Sequence, residues 1–148
     1  MLRQSYISGL GFNVPDNTMT NQDLSKFMDT SDEWIFERSG IKERRIVEHQ
    51  ERDGIGPSDL AIPAVEDALK MANLDKEDID FILFSTAMPD YFLPGSGCFL
   101  QEKMGFPLIG ALDIRAQCAG FIYGLSVADQ YVKSGTYNNV LLVCSEVQ

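Results

Sequence analysis

The chain has 148 residues, of which 45% are hydrophobic, and a formal net charge of −10 at pH 7. This length and apolar content suit one compact domain or one half of a larger one. The acidic balance argues against nucleic acid or an anionic membrane surface as the main partner. No apolar run is long enough to cross a bilayer, and the N-terminal residues MLRQSYISGLGF lack the apolar core of a signal peptide. The three cysteines show no CxxC spacing, which favours neither a disulfide framework nor a zinc site and indicates a cytoplasmic location.

The first part of the chain predicts two strands and two short helices. Residues 5–14 favour a strand that ends in a Pro-Asp-Asn turn. Asn21 is expected to cap a helix over QDLSKFM, and Ser31 to cap a second helix that ends at Gly40. Residues 41–47 alternate apolar with charged side chains, which is typical of an edge strand.

The rest of the chain alternates helices with apolar strands. Pro57 and Ser58 begin a helix with a wide apolar face, formed by Leu60, Ala61, Ala64, Val65, Ala68, Leu69 and Ala72. The strand DFILFSTA is apolar at its centre, which indicates burial on both faces. Residues 97–104 favour a short helix closed by Gly105, and NNVLLVCS favours another buried strand. This alternation predicts an α/β layered fold with a largely buried sheet.

Cys118 lies in the stretch LDIRAQCAGFIYGLSVADQYVKSG, where an apolar strand is expected to stop at the cysteine and pass directly into a long helix. Small residues crowd the turn: Ala116, Ala119 and Gly120. The helix shows apolar positions at spacings of three and four, typical of a buried stripe: Phe121, Leu125, Ala128 and Val132.

A thiol at such a junction lies beside unpaired backbone N–H groups and the positive end of the helix dipole. Both favour the thiolate, which is the nucleophile, and the same N–H groups can stabilise an oxyanion on a thioester carbonyl. Cys118 is therefore the candidate nucleophile, and a buried, unreactive thiol is the alternative. Cys98, on a helix, and Cys144, in a buried strand, are interpreted as structural.

Three ordered segments resemble the 3-oxoacyl-acyl-carrier-protein synthase III family. AQCAGFIYGLSVADQYVKSG is similar to its active-site segment, TSDEWIFERSGIKERRI to its coenzyme A recognition segment, and STAMPDYFLPGSGC to its acyl-pocket loop. The resemblance runs over essentially the whole chain. It implies a thiolase-like fold, in which two similar α/β halves pack as a five-layered αβαβα structure, with residues 1–148 as the N-terminal half.

The resemblance implies a condensing enzyme of fatty acid or polyketide-type synthesis. Cys118 would take an acyl group from acyl-coenzyme A as a thioester, and a malonyl thioester on acyl carrier protein would then react by decarboxylative Claisen condensation. The family stabilises the enolate with a histidine and an asparagine of its second half. His49, the single histidine here, lies outside the family motifs and is interpreted as a surface residue. A C-terminal half in the same or another chain is therefore expected to complete the site of a homodimer, without a metal or redox cofactor.

The resemblance also implies binding roles. Trp34 would stack on the adenine of coenzyme A, and Arg38, one helical turn on, would meet its phosphates or base, because the planar guanidinium suits both. The alternative for Trp34 is packing. Phe92 and Leu93 are candidates for the acyl pocket, because in the family their loop caps the pocket of the partner subunit. Gln117 is a further acyl-pocket candidate.

Two features leave alternatives open. Arg115 and Gln117 replace the small residues usual beside the family's cysteine, so another primer or a non-malonyl acceptor is possible. A basic group is interpreted either as a solvated edge strand or as a contact for coenzyme A phosphates or carrier protein: Lys42, Arg44 and Arg45.

Because the catalytic histidine and asparagine are absent, a non-catalytic binding or scaffold subunit is the rival hypothesis. A lone half is also expected to expose a large apolar face.

Overall fold

The computed structural model describes residues 3–47 and 54–147, and the chain separates into two compact units. The smaller unit is Val14–Gly54, and the larger unit combines Met1–Asn13 with Ile55–Gln148. The prediction for His49 falls outside the described residues. Within the described ranges, no helix is both long enough and apolar enough to cross a membrane.

The smaller unit is built from a two-stranded antiparallel sheet and two helices. β1 (Thr18–Thr20) pairs with β2 (Glu43–Arg45), and α1 (Asn21–Leu24) and α2 (Asp32–Ser39) lie between them in the chain. The edge strand predicted over 41–47 thus forms only in its centre, because β1 is equally short. Ser31 caps α2, as predicted, by accepting a hydrogen bond from the Trp34 N–H at 3.1 Å.

The beginning of α1 differs from the prediction, because Thr20 rather than Asn21 is the cap. Thr20 Oγ1 accepts from the Asp23 N–H at 3.2 Å, and the Asp23 carboxylate accepts from the Thr20 N–H at 3.0 Å. Asn21 is buried instead, and its amide donates to Asp32 Oδ1 at 2.6 Å and to the Ile41 carbonyl at 2.7 Å. These two hydrogen bonds join α1 to α2 and to the residues before β2.

Helix α1 ends at Leu24, before the end of the predicted helix QDLSKFM. Phe27 and Met28, which would lie on its last turn, are 76% and 54% exposed. Apolar packing therefore does not stabilise a longer helix, and a short helix without packing is unstable in water.

The larger unit is a three-stranded parallel sheet with helices on both faces. Its elements in chain order are α3 (Pro57–Ala72), β3 (Phe81–Ser85), α4 (Ser96–Met104), β4 (Gly110–Ile114), α5 (Gly120–Ser134) and β5 (Val140–Cys144). The strand order is β4-β3-β5, with all pairs parallel. This arrangement confirms the α/β fold class that the alternating pattern predicts.

The core lies between the sheet and the helices α3 and α4. Ile82 and Phe84 point into it from β3, and its other main members are Ala61, Val65, Leu69, Leu100, Met104, Leu141 and Val143. Helix α5 covers the opposite face, where Tyr131 packs edge-on against Phe81 with ring centroids 5.2 Å apart. β3 is therefore buried along its whole length, as its apolar sequence predicts.

The strand predicted over 5–14 is not formed. Segment 3–13 has no regular secondary structure, and no backbone–backbone hydrogen bond joins it to another described residue. Side chains hold it instead: Arg3 donates to Asn138 at 2.7 Å, and Ser5 donates to Asp129 at 2.5 Å. An open cavity of about 1000 Å³ is lined by this segment, α3, α5 and β5. The segment therefore pairs with no strand of the described residues.

The same cavity changes the burial predicted for α5 and β5. The stripe expected to be buried lines the cavity, so Phe121 is 46% exposed, and Leu125, Ala128 and Val132 are half-buried. Cys144 is exposed at the end of β5, so the interpretation of that residue as part of a fully buried strand is wrong. Periodicity identified the apolar faces correctly, but it does not show what covers them.

Replacing Gly11 by alanine is expected to detach segment 3–13 from α3. The new Cβ would lie 1.7 Å from the Ala64 carbonyl oxygen, a backbone atom that cannot move without distorting the helix. Urea unfolding should show a loss of about 1–3 kcal/mol, whereas the control Ser8→Ala, on the exposed part of the segment, should stay within about 0.5 kcal/mol. Equal stability of the two variants would contradict this packing.

Candidate active site

Cys118 lies in a tight turn between β4 and α5. β4 ends at Ile114 rather than at the cysteine, and a single 3-10 turn, Gln117–Ala119, leads into α5 at Gly120. Gln117 has φ of 45°, in the left-handed region, which an extended strand cannot contain. The thiol of Cys118 is exposed, in contrast to the buried alternative considered for it.

A close approach between α5 and the sheet fixes this turn. A Cβ on Gly120 would lie 2.0 Å from Ser85 Oγ, so only glycine allows α5 to begin directly against the last residue of β3. Cys118 is therefore held at the carboxyl edge of a parallel sheet, which is where ligands bind in open α/β folds. Gly120, which this contact with Ser85 requires, is one of the small residues that the sequence places at the turn.

The backbone N–H groups around the thiol are used unequally. The Ala119 N–H donates to the Ala116 carbonyl at 2.9 Å, and the Gly120 N–H donates to the Gln117 carbonyl. The N–H of Cys118 itself has no acceptor among the described residues. The turn thus presents one unpaired donor beside the thiol, where charge develops on an attacked carbonyl oxygen.

Two carboxylates hold the ends of the β3–α4 loop, residues 86–95. Glu146, after β5, accepts from the Ala87 N–H at 2.6 Å. Asp113, on β4, accepts from the Ser96 N–H at 2.6 Å and from the Gly97 N–H at 2.9 Å, so it caps α4 from outside the helix. Neither residue was predicted from the sequence, although Gly95 at the helix start offers no capping side chain and signals the need for another acceptor.

A third carboxylate holds the middle of this loop. Asp90 is 5% exposed at its side chain and accepts from the Ser58 hydroxyl at 2.6 Å and from the Ser58 N–H at 3.2 Å. Lys103 donates to Ser58 Oγ at 2.8 Å and pairs with Asp59 at 2.6 Å. The Asp90 N–H donates to Ser96 Oγ at 3.1 Å. The network compensates the burial of the Asp90 charge and ties the loop to α3 and α4.

The tip of the β3–α4 loop carries the predicted acyl-pocket residues. Phe92 and Leu93 are each 79% exposed, so neither packs in the core of the larger unit. The guanidinium carbon of Arg115 lies 4.8 Å from the Phe92 ring centroid. The structure therefore brings Phe92 to the segment that carries Cys118, while Gln117 is exposed in the adjacent turn.

Trp34 and Arg38 lie together on α2, in the smaller unit. The Arg38 guanidinium carbon is 4.3 Å from the Trp34 ring centroid, and Arg38 also donates to the Trp34 carbonyl at 3.2 Å. Trp34 is 54% exposed, which does not fit the packing alternative. An exposed indole with a guanidinium on it is a suitable surface for a planar heterocycle and its phosphates.

The basic group beside α2 makes contacts within its own unit. Arg44 donates to Asn21 Oδ1 at 2.7 Å, and Arg45 donates to the carbonyls of Pro15 and Asp16 at 3.2 Å each. Lys42 lies 5.4 Å from the Phe36 ring centroid. Both arginines thus have a structural contribution, and their role toward a phosphate stays a prediction.

The other cysteines differ from Cys118 in environment. Cys98 is half-buried on α4. Partial burial raises the pKa of the Cys144 thiol, the nearby Glu146 carboxylate raises this pKa further, and a hydrogen bond with Ser85 lowers it. In the part of the chain that the structure describes, no group of three or more His, Cys, Asp and Glu side chains is arranged to hold a metal ion.

Solved structures of thiolase-like condensing enzymes share this fold. The 3-oxoacyl-[acyl-carrier-protein] synthase III of Aquifex aeolicus VF5 matches with a TM-score of 0.87 and 42% identity, covering 93% of this chain and 43% of that chain. The priming β-ketosynthase of the R1128 polyketide pathway matches with a TM-score of 0.88 and 31% identity, covering 97% and 42%. The fold and the cysteine turn thus place the chain among thiolase-like proteins.

Among thiolase-like proteins, the sequence is most informative about similarity to synthase III enzymes. The family model of 3-oxoacyl-[acyl-carrier-protein] synthase III matches residues 112–148. The β-ketoacyl-[acyl-carrier-protein] synthase III of Chlamydia pneumoniae is 45% identical over 144 residues, which are 97% of this chain and 42% of that protein. Over nearly its whole length the chain is similar to members of the synthase III family, as its three motifs indicate, and it spans less than half of the length of these relatives.

The raised pKa of Cys144 predicts slow alkylation at pH 8, because only the thiolate reacts. Glu146→Gln removes a negative charge that favours the neutral thiol, so this pKa should fall and iodoacetamide should modify Cys144 about two- to threefold faster. Peptide mapping by mass spectrometry gives the rate. Glu66→Gln, on exposed α3 surface, is the charge-matched control. A slower reaction in Glu146→Gln would show that the carboxylate does not act through its charge.

Proposed function

We propose that this chain carries the acyl-accepting nucleophile of a condensing enzyme, and that this nucleophile is Cys118. The observation that carries the proposal is the position of an exposed thiol in a tight turn, beside an unpaired N–H and at the carboxyl edge of a parallel sheet. Similarity to the synthase III family supports acyl transfer as the reaction class.

The first step is acyl transfer from acyl-coenzyme A. The Cys118 thiol loses its proton, and the thiolate attacks the thioester carbonyl carbon. The carbon–sulfur bond to coenzyme A then breaks, coenzyme A leaves and takes up a proton, and the acyl group stays on Sγ as a thioester. The Cys118 N–H is suited to stabilise the intermediate oxyanion, because it has no acceptor in the folded turn.

The second step joins the acyl group to a malonyl unit on acyl carrier protein. The malonyl carbon–carbon bond breaks with loss of carbon dioxide, and the resulting carbanion attacks the acyl carbonyl, so that the Cys118 thiolate leaves. The enolate needs hydrogen-bond donors, and a histidine and an asparagine outside these 148 residues would supply them. The working assembly is then a cytoplasmic homodimer in which a C-terminal half joins residues 1–148.

The 148-residue chain alone should not turn over malonyl carrier protein, and turnover would contradict the assignment of the enolate-stabilising residues to a C-terminal half.

Trp34 and Arg38 are proposed to bind the nucleotide of coenzyme A. The exposed indole offers a stacking surface for adenine, and the guanidinium on it carries the positive charge that phosphates require. Phe92, Leu93 and Gln117 are proposed to contact the acyl chain, Gln117 in its own subunit and the exposed loop residues Phe92 and Leu93 in the pocket of the partner subunit.

A second candidate function is a non-catalytic binding or scaffold subunit. It is favoured by the location of the Trp34–Arg38 pair in a unit distinct from that of Cys118, because such a pair can bind coenzyme A without any reaction at the thiol. The two hypotheses differ in whether a covalent adduct forms.

Incubation with acetyl-coenzyme A is expected to add one acetyl group to the 148-residue chain, detected by denaturing intact mass. Cys118→Ala, which keeps Cys98 and Cys144, is the matched control and should stay unmodified. Acylation that persists in Cys118→Ala would remove the cysteine from the proposed role. Binding of coenzyme A without any adduct on the unaltered chain would favour the scaffold alternative.

Titration with coenzyme A is expected to quench the fluorescence of Trp34, which is the only tryptophan and therefore reports on this site alone. Arg38→Ala should weaken binding by about three- to tenfold, since it removes a charge-assisted contact with phosphate. Lys26→Ala is the control for a lost positive charge in the same unit, and should leave the affinity unchanged. Emission that does not respond to coenzyme A would exclude stacking on Trp34.

A further inference from the structure

We propose that Asn21 is a positioning residue for the nucleotide-binding surface, because its buried amide keeps α2 helical and so holds Trp34 and Arg38 one helical turn apart in the free protein. This inference rests on the proposed role of Trp34 and Arg38 in binding coenzyme A. It assigns a function to a residue that is only 1% exposed and that the sequence indicated merely as a helix cap.

Helix α2 receives little support from apolar packing. Among its eight residues, all of which the structure describes, only Ile35 is buried. An isolated helix of this length is unstable in water, because few hydrogen bonds offset the cost of its first turn. Trp34 and Arg38 are both exposed, so they bury little surface when the helix forms. Contacts made at the ends of α2 are therefore needed to keep the pair in place.

Asn21 provides these contacts from α1. Its side-chain amide donates to the carboxylate of Asp32, the first residue of α2, at 2.6 Å. The same amide donates to the carbonyl of Ile41, two residues after the helix ends, at 2.7 Å. The backbone N–H of Asn21 also donates to the Lys42 carbonyl at 3.2 Å. One residue thus binds the chain at both ends of the helix.

The pattern of hydrogen bonds requires an amide at position 21. Arg44 can only donate, and it donates to Asn21 Oδ1 at 2.7 Å. The Asp32 carboxylate and the Ile41 carbonyl can only accept, and both receive N–H groups of the amide. A carboxylate at this position has no donor, and an apolar side chain has neither donor nor acceptor. The charged groups on either side of the amide strengthen its hydrogen bonds.

Preformation of α2 has a direct consequence for affinity. Where the binding-competent form is only partly populated, the apparent dissociation constant rises in inverse proportion to its fraction. Fraying of α2 would separate the indole of Trp34 from the guanidinium of Arg38, and coenzyme A would then have to order the helix on binding. Loss of the Asn21 bridge should therefore weaken binding without removing any group that contacts the ligand.

The test is titration of the 148-residue chain with coenzyme A, followed by the emission of Trp34. Asn21→Asp keeps the shape of the side chain, removes both donors and places a second negative charge beside Asp32, and it should weaken binding by about five- to tenfold. Asp32→Asn alone should change the affinity by less than about twofold, because its side-chain oxygen still accepts from Asn21. The double variant should recover the affinity to within about threefold, since the new amide donates to the new carboxylate.

Thr20→Ala is the matched control for a loss of stability in the same part of the chain. Thr20 caps α1, so this variant should lower the melting temperature, but no hydrogen bond of the Asn21 side chain involves Thr20. Its affinity should stay within about twofold of the original at a temperature where circular dichroism shows both variants folded. Hydrogen exchange in the peptide that covers α2 should accelerate in Asn21→Asp and not in Thr20→Ala.

An unchanged affinity in Asn21→Asp, with coenzyme A still quenching Trp34, would overturn the inference and leave the proposed binding site intact. A double variant that binds no better than Asn21→Asp would also overturn it, since the link to Asp32 would then not support the site. An equal loss of affinity in Thr20→Ala would do the same. Emission of Trp34 that does not respond to coenzyme A in the unaltered chain would overturn the proposed binding role, and the inference with it.

Discussion

The burial of β3 on both faces is the constraint on which the larger unit depends. Ile82, Leu83 and Phe84 are fully buried, so helices must cover the strand from two sides. Helices α3 and α4 cover one side, and α5 must then lie against the other, where Gly120 meets Ser85. Because α5 begins at that contact, the preceding turn with Cys118 is held at the carboxyl end of the sheet. The packing of one apolar strand thus positions the candidate nucleophile.

Carboxylates organise the same edge in an acidic chain. Glu146, Asp90 and Asp113 bind backbone N–H groups of the β3–α4 loop or of the helices beside it. Each negative charge thereby gains donors that replace water, and the loop gains a defined path. The apolar tip is then presented without core packing of its own. An exposed aromatic residue on a firmly held loop is more consistent with recognition than with stability.

The candidate site was predictable to the extent that its chemistry follows from local sequence. The roles of Cys118, Trp34 and Arg38 were predicted from the resemblance of their segments to the synthase III family, and these roles stay predictions. Asp90 was not recognised, because its partner Ser58 lies far away in the chain and no local pattern connects them. The left-handed backbone of Gln117 was also missed, since glutamine has no preference that signals it. Contacts between distant residues depend on the packing of whole elements, which a single sequence does not display.

The sequence by itself determined the type and order of most elements, the apolar core of β3, and the ends of several helices. These properties depend on side-chain periodicity and capping, which act over a few residues. Only the tertiary structure decided that residues 5–14 form no ladder, that the α5 stripe lines a cavity, and that Thr20 rather than Asn21 caps α1. In each case the local pattern is compatible with more than one outcome. The choice between them depends on which distant surface lies alongside, because pairing and burial need a partner that local sequence cannot supply.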